Sequence, residues 1–424
     1  MSPNALKVLH RLHGAGFSSY LVGGAVRDLL LSRSPKDFDV GTNARPQQVR
    51  QLFRNARIIG RRFRLVLVTF PGEIVEVATF RRSPQAPDID TGEEADPLAA
   101  VIEAEEFGTP EEDAVRRDFT VNGLFYNIAD FSIIDHVGGL ADLERRLIRS
   151  IGPARRRFVE DPVRMLRAIE YSTRLGFELE PETAEAVFEL KSEIRRVAPA
   201  RIGYELVESL CSPCGGAILQ GFDDAGLLFE IMPEAHEAAA SKPVVSLWAL
   251  LRAADRHTGS GGRLGDETRL GLLFLPTYLT LLSTTPPAGN PDLERAIKDL
   301  VDPAALRLAF SHYRAHLIRA SFFLLARLLA PPRAPRQVIR TVRHEAFRTA
   351  LELGRLVTRV DERFADALAG WEAAVVRIEG GQEPLPEPGA QTAGGDGRKR
   401  RRRLRRGGGH RGAATVAAPV SGQP

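Results

Sequence analysis

Asp37 and Asp39 stand two residues apart in Asp37-Phe38-Asp39, shortly after a Gly-Gly turn in Leu21-Val22-Gly23-Gly24-Ala25-Val26-Arg27-Asp28. In an extended strand, residues i and i+2 point to the same face, so the spacing predicts two carboxylates side by side. Unpaired like charges repel and are costly to desolvate, so an apolar core does not reward such a pair. A pair of divalent cations does, each bridging protein oxygens to the phosphates of a bound nucleotide. Gly23 and Gly24 let bare backbone N–H groups approach a triphosphate closely. These residue types suit phosphoryl chemistry, specifically nucleotidyl transfer.

Two further acids are candidates to complete a carboxylate cluster around two metals. Glu76 lies in Val75-Glu76-Val77, between apolar neighbours of opposite facing, and Asp118 lies in Arg116-Arg117-Asp118-Phe119-Thr120-Val121-Asn122. Taken alone, Asp118 reads as a surface partner of Arg117, and Glu76 as a solvated residue of an edge strand. Beside the Asp37/Asp39 pair those readings lose ground. Gly60-Arg61-Arg62-Phe63-Arg64 gathers three cations ahead of a strand. It fits a solvated sheet edge or an electropositive rim for triphosphate or RNA.

Glu160-Asp161-Pro162-Val163-Arg164 opens a helical region, with Arg167 one turn on. Acidic helix starts commonly offset the dipole. Asp161 and Arg164 are also three residues apart and so are expected on one helix face. There a carboxylate acceptor and a guanidinium donor can read the edge of a base. His312 and His316 are spaced i, i+4 but lack a third ligand, and Cys211 and Cys214 lack a second ligand pair. Both read as ordinary side chains.

These motifs need a scaffold, and 424 residues leave room for two or three domains. The segment to about residue 150 reads as mixed strand and helix. Val26–Ser32 looks helical, Asp37–Val40 a strand and Pro46–Asn55 a helix. Two β-rich runs, Phe63–Phe70 and Glu73–Phe80, flank Pro71-Gly72 as a hairpin. Residues 83–115 read as an acidic loop, and a further β region ends near Val137-Gly138-Gly139. Beyond residue 150 the helical pattern dominates to about residue 378, starting with Pro162 just inside an acidic helix start.

Residues 380–397 read as a Gly/Pro/Glu-rich linker. The remainder is too poor in apolar residues to fold alone. Residues 398–424 carry nine bases and no acid, against a net charge of +4 for the whole chain. Residues 1–397 are therefore mildly acidic, and the tail is the part expected to attract RNA. No apolar run reaches the roughly 18–20 residues that span a bilayer, and the N-terminus lacks signal-peptide regions. A cytoplasmic protein with no membrane contact is expected.

Four motifs occur in order: Leu21–Asp28, Lys36-Asp-Phe-Asp-Val40, Arg116–Asn122 and Glu160-Asp-Pro-Val-Arg-Met-Leu-Arg-Ala168. Together they resemble the bacterial poly(A) polymerase and CCA-adding tRNA nucleotidyltransferase family, class II. The resemblance covers roughly residues 18–180 through its motifs and extends more weakly over the helical part. It implies an α+β, polymerase-β-like nucleotidyltransferase head at 1–150. An all-α neck at 151–215 and an RNA-binding helical body at 216–378 would follow, then a disordered linker and Arg-rich tail at 379–424.

Within that family, Ile58–Val66 is similar to the signature that separates poly(A) polymerases from CCA-adding enzymes, although Leu67 stands where the polymerase pattern usually has His. The Arg-rich tail also resembles the polymerases. The implied activity is template-independent addition of AMP from ATP to RNA 3′ ends with release of pyrophosphate. The alternatives are CCA or A addition to tRNA, or a catalytically silent RNA-binding relative.

By resemblance, Asp37 and Asp39 bind two Mg²⁺ ions. Asp118 completes the active site, with Glu76 its rival as third metal ligand. Gly23, Gly24 and Arg27 hold the triphosphate, and Arg117 and Asn122 seat the nucleotide. Asp161 and Arg164 select the base.

Overall fold

The computed structural model describes residues 1–60, 64–82, 107–241, 243–284, 291–382 and 384. The strands β1 (Ser19–Val22), β2 (Phe38–Thr42), β3 (Ala56–Ile59), β4 (Leu65–Phe70), β5 (Glu73–Thr79), β6 (Leu124–Asn127) and β7 (Ile133–Asp135) form one sheet, ordered β3-β4-β5-β2-β1-β6-β7. The β4–β5 hairpin turns at Pro71-Gly72, where Gly72 takes the left-handed φ of +79°. Alternation along it buries Val66, Val68, Val75 and Val77 and leaves Glu76 on the opposite, open face. The buried face packs against the helices Pro3–Gly14 and Pro46–Leu52 through Ala5, Val8, Leu12 and Val49.

The parallel pairing of β2 with β5 decides what the sheet can do. Its register sets Asp39 directly beside Glu76, and neighbouring strands lie only about 4.8 Å apart. β5 is an interior strand, so the edge-strand reading of Glu76 does not hold.

Helices fill the rest of the described chain. The helix Val163–Leu175 buries Val163, Met165, Leu166, Ala168 and Ile169 on one side. Its other side carries Arg164, Arg167 and Tyr171, spaced i, i+3 and i+7. One continuous apolar core runs from β1 and β2 through this helix to the final helix, Ala365–Glu379. Among the described residues no helix is long and apolar enough to cross a membrane.

Four local expectations change. Asp37 lies just before β2 rather than in it. Pro110–Val115, read as loop, is a helix because Thr109 and Glu112 form a capping box: Glu112 N donates to Thr109 Oγ1 at 3.2 Å, and Thr109 N donates to Glu112 Oε2 at 2.7 Å. A short parallel pair, β8 (Leu147–Ile148) with β9 (Glu178–Leu179), interrupts the helical region. Asp161 sits at the break between the helices Ala154–Glu160 and Val163–Leu175, with extended backbone (φ −147°, ψ 91°), rather than on a helix face. Arg61, Arg62 and Phe63, residues 83–106 of the acidic loop, most of the linker and the Arg-rich tail lie outside the described residues.

Candidate active site

The sheet's open face and the helix Val163–Leu175 enclose a polar cleft of about 320 Å³. It gathers Gly23, Gly24, Asp39, Arg117, Asp118, Asn122, Asp161 and Arg164, which the sequence places in four separate motifs. A larger cavity of about 920 Å³ adjoins it, sharing Gly24, Asp39, Arg167 and Tyr171 and adding Asp37 and Arg27. Glu76 lines neither, but its strand register brings it to Asp39.

Asp37, Asp39 and Glu76 form a group of like charges. Burial and the neighbouring Glu76 push the Asp39 carboxyl up to about 6; Asp37 adds to this, while the Arg117 guanidinium pulls the other way. Burial and Asp37 also raise Glu76. This is the electrostatic signature of carboxylates that lack a cation. Among the described residues, no three acidic, imidazole or thiol groups converge into a closed metal cage.

The fourth acid, Asp118, is bonded differently. Its Oδ1 accepts from Phe119 N at 2.8 Å and Asn122 Nδ2 at 3.0 Å, and Oδ2 lies 3.8 Å from Arg167. It organises the cleft wall, whereas no described residue donates a hydrogen bond to the Glu76 carboxylate.

The Gly-Gly turn is shaped by what packs on it. Gly23 has φ +70°, and a Cβ there would meet Arg117 Nη1 at 2.9 Å. Its N–H is committed to Leu124 O at 3.1 Å, which leaves Gly24, the first residue of the helix Gly24–Leu30, as the donor of the pair. Arg117 is aimed by Asp113, with its Nη2 2.9 Å from Oδ2, and lies over the Phe125 ring at 5.2 Å.

Arg27 is only 2% exposed. Its Nε donates to Asp28 at 2.8 Å, its Nη1 bonds Asn122 Oδ1, and its guanidinium faces the Tyr171 ring at 5.3 Å. Arg27 and Asn122 therefore brace the turn against the opposite wall.

On the helical wall both oxygens of Asp161 are occupied. Oδ2 accepts from Arg201 Nη2 at 2.8 Å, and Oδ1 accepts from Val163 N at 3.3 Å. Arg164 donates once, to Arg157 O at 3.3 Å, and its Nε is 4.0 Å from Asp161. Burial and the nearby Arg157 cation lower its pKa. Of the two expected base readers, Arg164 has the donors to spare.

Arg167, Tyr171, Arg201 and Glu205 complete the wall and were not singled out as site residues from the sequence. Arg167 Nη2 donates to Glu205 at 2.8 Å. The i, i+3, i+7 stripe starting at Arg164 marks Arg167 and Tyr171, but no spacing marks Arg201 or Glu205. Two straps position the loop before β2: Arg33 donates to Arg174 O and Leu175 O at 3.0 and 3.2 Å, and Lys36 pairs with Glu208 at 2.6 Å.

The discounted pairs behave as ordinary side chains. Cys211 donates to Asp266 at 3.4 Å and its thiol is pushed up to about 11, chiefly by burial. His316 pairs with Glu345 at 3.1 Å.

A family model described as the poly A polymerase head domain matches residues 19–149. One described as a probable RNA and SrmB- binding site of polymerase A matches residues 176–239. The poly(A) polymerase I of Salmonella typhimurium is 37% identical over 385 residues, covering 88% of this chain and 82% of that protein. The poly(A) polymerase I of Escherichia coli O157:H7 is 36% identical over 372 residues, 85% and 79% of the two chains. The CCA-adding enzyme of Lactobacillus johnsonii is 38% identical over 227 residues, 54% of each chain. Among solved structures, a tRNA nucleotidyltransferase complexed with a primer tRNA and an incoming ATP analog superimposes with a TM-score of 0.57 at 22% identity, covering 88% of this chain and 99% of that one. At that identity the likeness speaks for the fold.

Proposed function

We infer that this chain, which belongs to the bacterial poly(A) polymerase family, adds AMP from ATP to RNA 3′ ends without a template and releases pyrophosphate. The observation that carries the reading is Asp39, which lines a cleft with Gly24, Arg117 and Arg164, set in register beside Glu76 and within the charge influence of Asp37. Identity extending over most of the chain with poly(A) polymerases, against half of it with CCA-adding enzymes, supports AMP addition over CCA addition. The proposed division is a catalytic head at 1–150, a neck at 151–215, an RNA-binding body at 216–378 and a linker with an Arg-rich tail at 379–424. The protein is proposed to act in the cytoplasm.

Asp37, Asp39 and Glu76 would hold two Mg²⁺ ions together with the triphosphate. Bound there, magnesium would lower the pKa of the RNA 3′-hydroxyl and neutralise charge on the departing pyrophosphate. Gly24 N–H and the Arg117 guanidinium are placed to bind phosphate oxygens. Asp113 fixes the direction of Arg117, and Arg27 with Asn122 keeps the turn rigid. Asp118 holds Asn122 and the Phe119 backbone in place. Arg164 donates to the acceptor edge of the base, and Asp161, held by Arg201, shapes the side of its pocket. No covalent intermediate and no histidine base enter this scheme.

The test supplies each NTP singly with Mg²⁺ and a short unstructured RNA, in parallel with tRNA lacking its terminal CCA. A long A ladder on the RNA from ATP alone supports the proposal. Addition of one to three nucleotides confined to the tRNA moves the assignment to tRNA end maturation. No metal-dependent pyrophosphate release on either substrate identifies a silent relative.

A further inference from the structure

Away from the active site, the helices Pro291–Arg307, His312–Leu328 and Pro335–Val342 enclose a second cleft of about 330 Å³. Its charges are unevenly matched. Arg319 is bound to Asp302 and His316 to Glu345. Arg327 and Arg340 have no carboxylate partner among the described residues, and Glu294 is the one acid on the described lining. Arg327 lies over the Phe323 ring at 4.8 Å, which leaves its in-plane N–H groups free to donate. Burial and the neighbouring Arg340 cation depress its pKa. Two guanidiniums held close enough to repel each other are what an anion relieves.

A second, independent observation points the same way. Thr341, on the same lining, is 1% exposed, and its buried hydroxyl has no hydrogen-bond partner. A buried hydroxyl without a partner is costly, so its presence on a cleft wall calls for an occupant with an acceptor. The floor, Ile297, Phe323 and Leu324, is apolar and partly aromatic, suited to the face of a base. A volume of about 330 Å³ is on the scale of one nucleotide.

We propose that this cleft binds one nucleotide of single-stranded RNA, its phosphate held by Arg327, Arg340 and the Thr341 hydroxyl and its base set against the apolar floor. The proposal rests on RNA being the substrate and adds a contact point remote from the carboxylates.

The test measures binding of a short fluorescent oligoadenylate to the full chain over a range of salt concentrations. The double substitution Arg327→Gln/Arg340→Gln is expected to weaken binding about tenfold and to flatten the log–log salt slope by about 0.7 for each phosphate no longer neutralised. Thr341→Val, which keeps the shape and removes the hydroxyl, is expected to weaken binding about threefold. A thermal midpoint equal to wild type serves as the folding control. Undiminished affinity and slope in the double variant overturn the proposal, as does weakening by Thr341→Val that matches a loss of folded protein. If the wild-type chain binds the RNA but polymerises nothing, the activity reading fails, while the binding comparison still judges the cleft.

Discussion

On the sheet side of the active-site cleft, the carboxylates of Asp37, Asp39 and Glu76 accept no hydrogen bond from a described residue, and the charges of Glu76 and Asp37 help raise the Asp39 pKa as that of Asp37 helps raise Glu76. On the helical side, Asp161 is held by Arg201 and Arg167 by Glu205, each at 2.8 Å. One wall clusters like charges with Arg117 only partly offsetting them at Asp39, and the other pairs Asp161 and Glu205 each with a cation. A folded chain gains nothing from the first arrangement unless a ligand completes it. The second arrangement fixes side chains before a ligand arrives, which lowers the ordering cost of binding. The cleft thus combines a wall of clustered carboxylates with a wall of paired side chains.

The sharpest way to break this contrast is to remove the unsatisfied charges. Asp37→Ala or Asp39→Ala is expected to lower AMP incorporation at least about 10³-fold while RNA retention on a filter stays near wild type. Substantial residual polymerisation would remove these residues from the mechanism. Arg164→Ala is expected to reduce kcat/KM for ATP by about 10–100-fold, since it deletes the free donor. Arg201→Ala, which only releases Asp161, should cost less, about threefold to tenfold, and show chiefly in the ratio of ATP to CTP incorporation. Equal effects from the two variants would contradict the division of labour between them.

Smaller effects appear in stability and in salt dependence. The folded Asp39 carboxyl, up at about 6 from an ordinary 3.8, resists ionisation. Its penalty is absent below about pH 4, grows as pH rises through about 4–6 and is complete above that window. Metal-free protein should therefore lose about 1–2 kcal/mol from this group across the window, a figure reduced for partial exposure. Asp39→Asn should recover that amount near neutral pH in urea unfolding, and a variant no more stable than wild type would argue against the like-charge cluster. Deleting residues 398–424, with their nine bases, should weaken RNA binding and flatten its salt slope. Nine phosphate contacts cap that slope contribution at about 6.

Much of this was legible because it is local. The Pro71-Gly72 hairpin and the periodic stripe after Pro162 depend on neighbours within a few residues, and both appear in the fold, while of the i, i+2 acids only Asp39 lies within the strand. What the sequence hid depends on contacts across long separations. Glu76 meets Asp39 only because β2 pairs with β5 in one particular parallel register. Arg201 and Glu205 reach the site from the helix Pro199–Cys211, 40 and 38 residues beyond the side chains they hold. Arg27 lies in a recognisable motif, yet its burial against Asp28, Asn122 and Tyr171 is a tertiary fact. Asp161 escaped the helix because Pro162 follows it, and the residue before a proline disfavours α geometry.

The most direct test of the central contrast is calorimetric titration of Mg²⁺ with a nonhydrolysable ATP analogue into wild type and Asp39→Asn, at about pH 7.5 and about pH 5. Wild type is expected to bind about tenfold more weakly at the lower pH, where Asp39 must give up a proton for the ion to bind. Asp39→Asn should bind weakly at both pH values, with that dependence reduced. Binding by Asp39→Asn as tight and as pH-dependent as that of wild type would contradict the account.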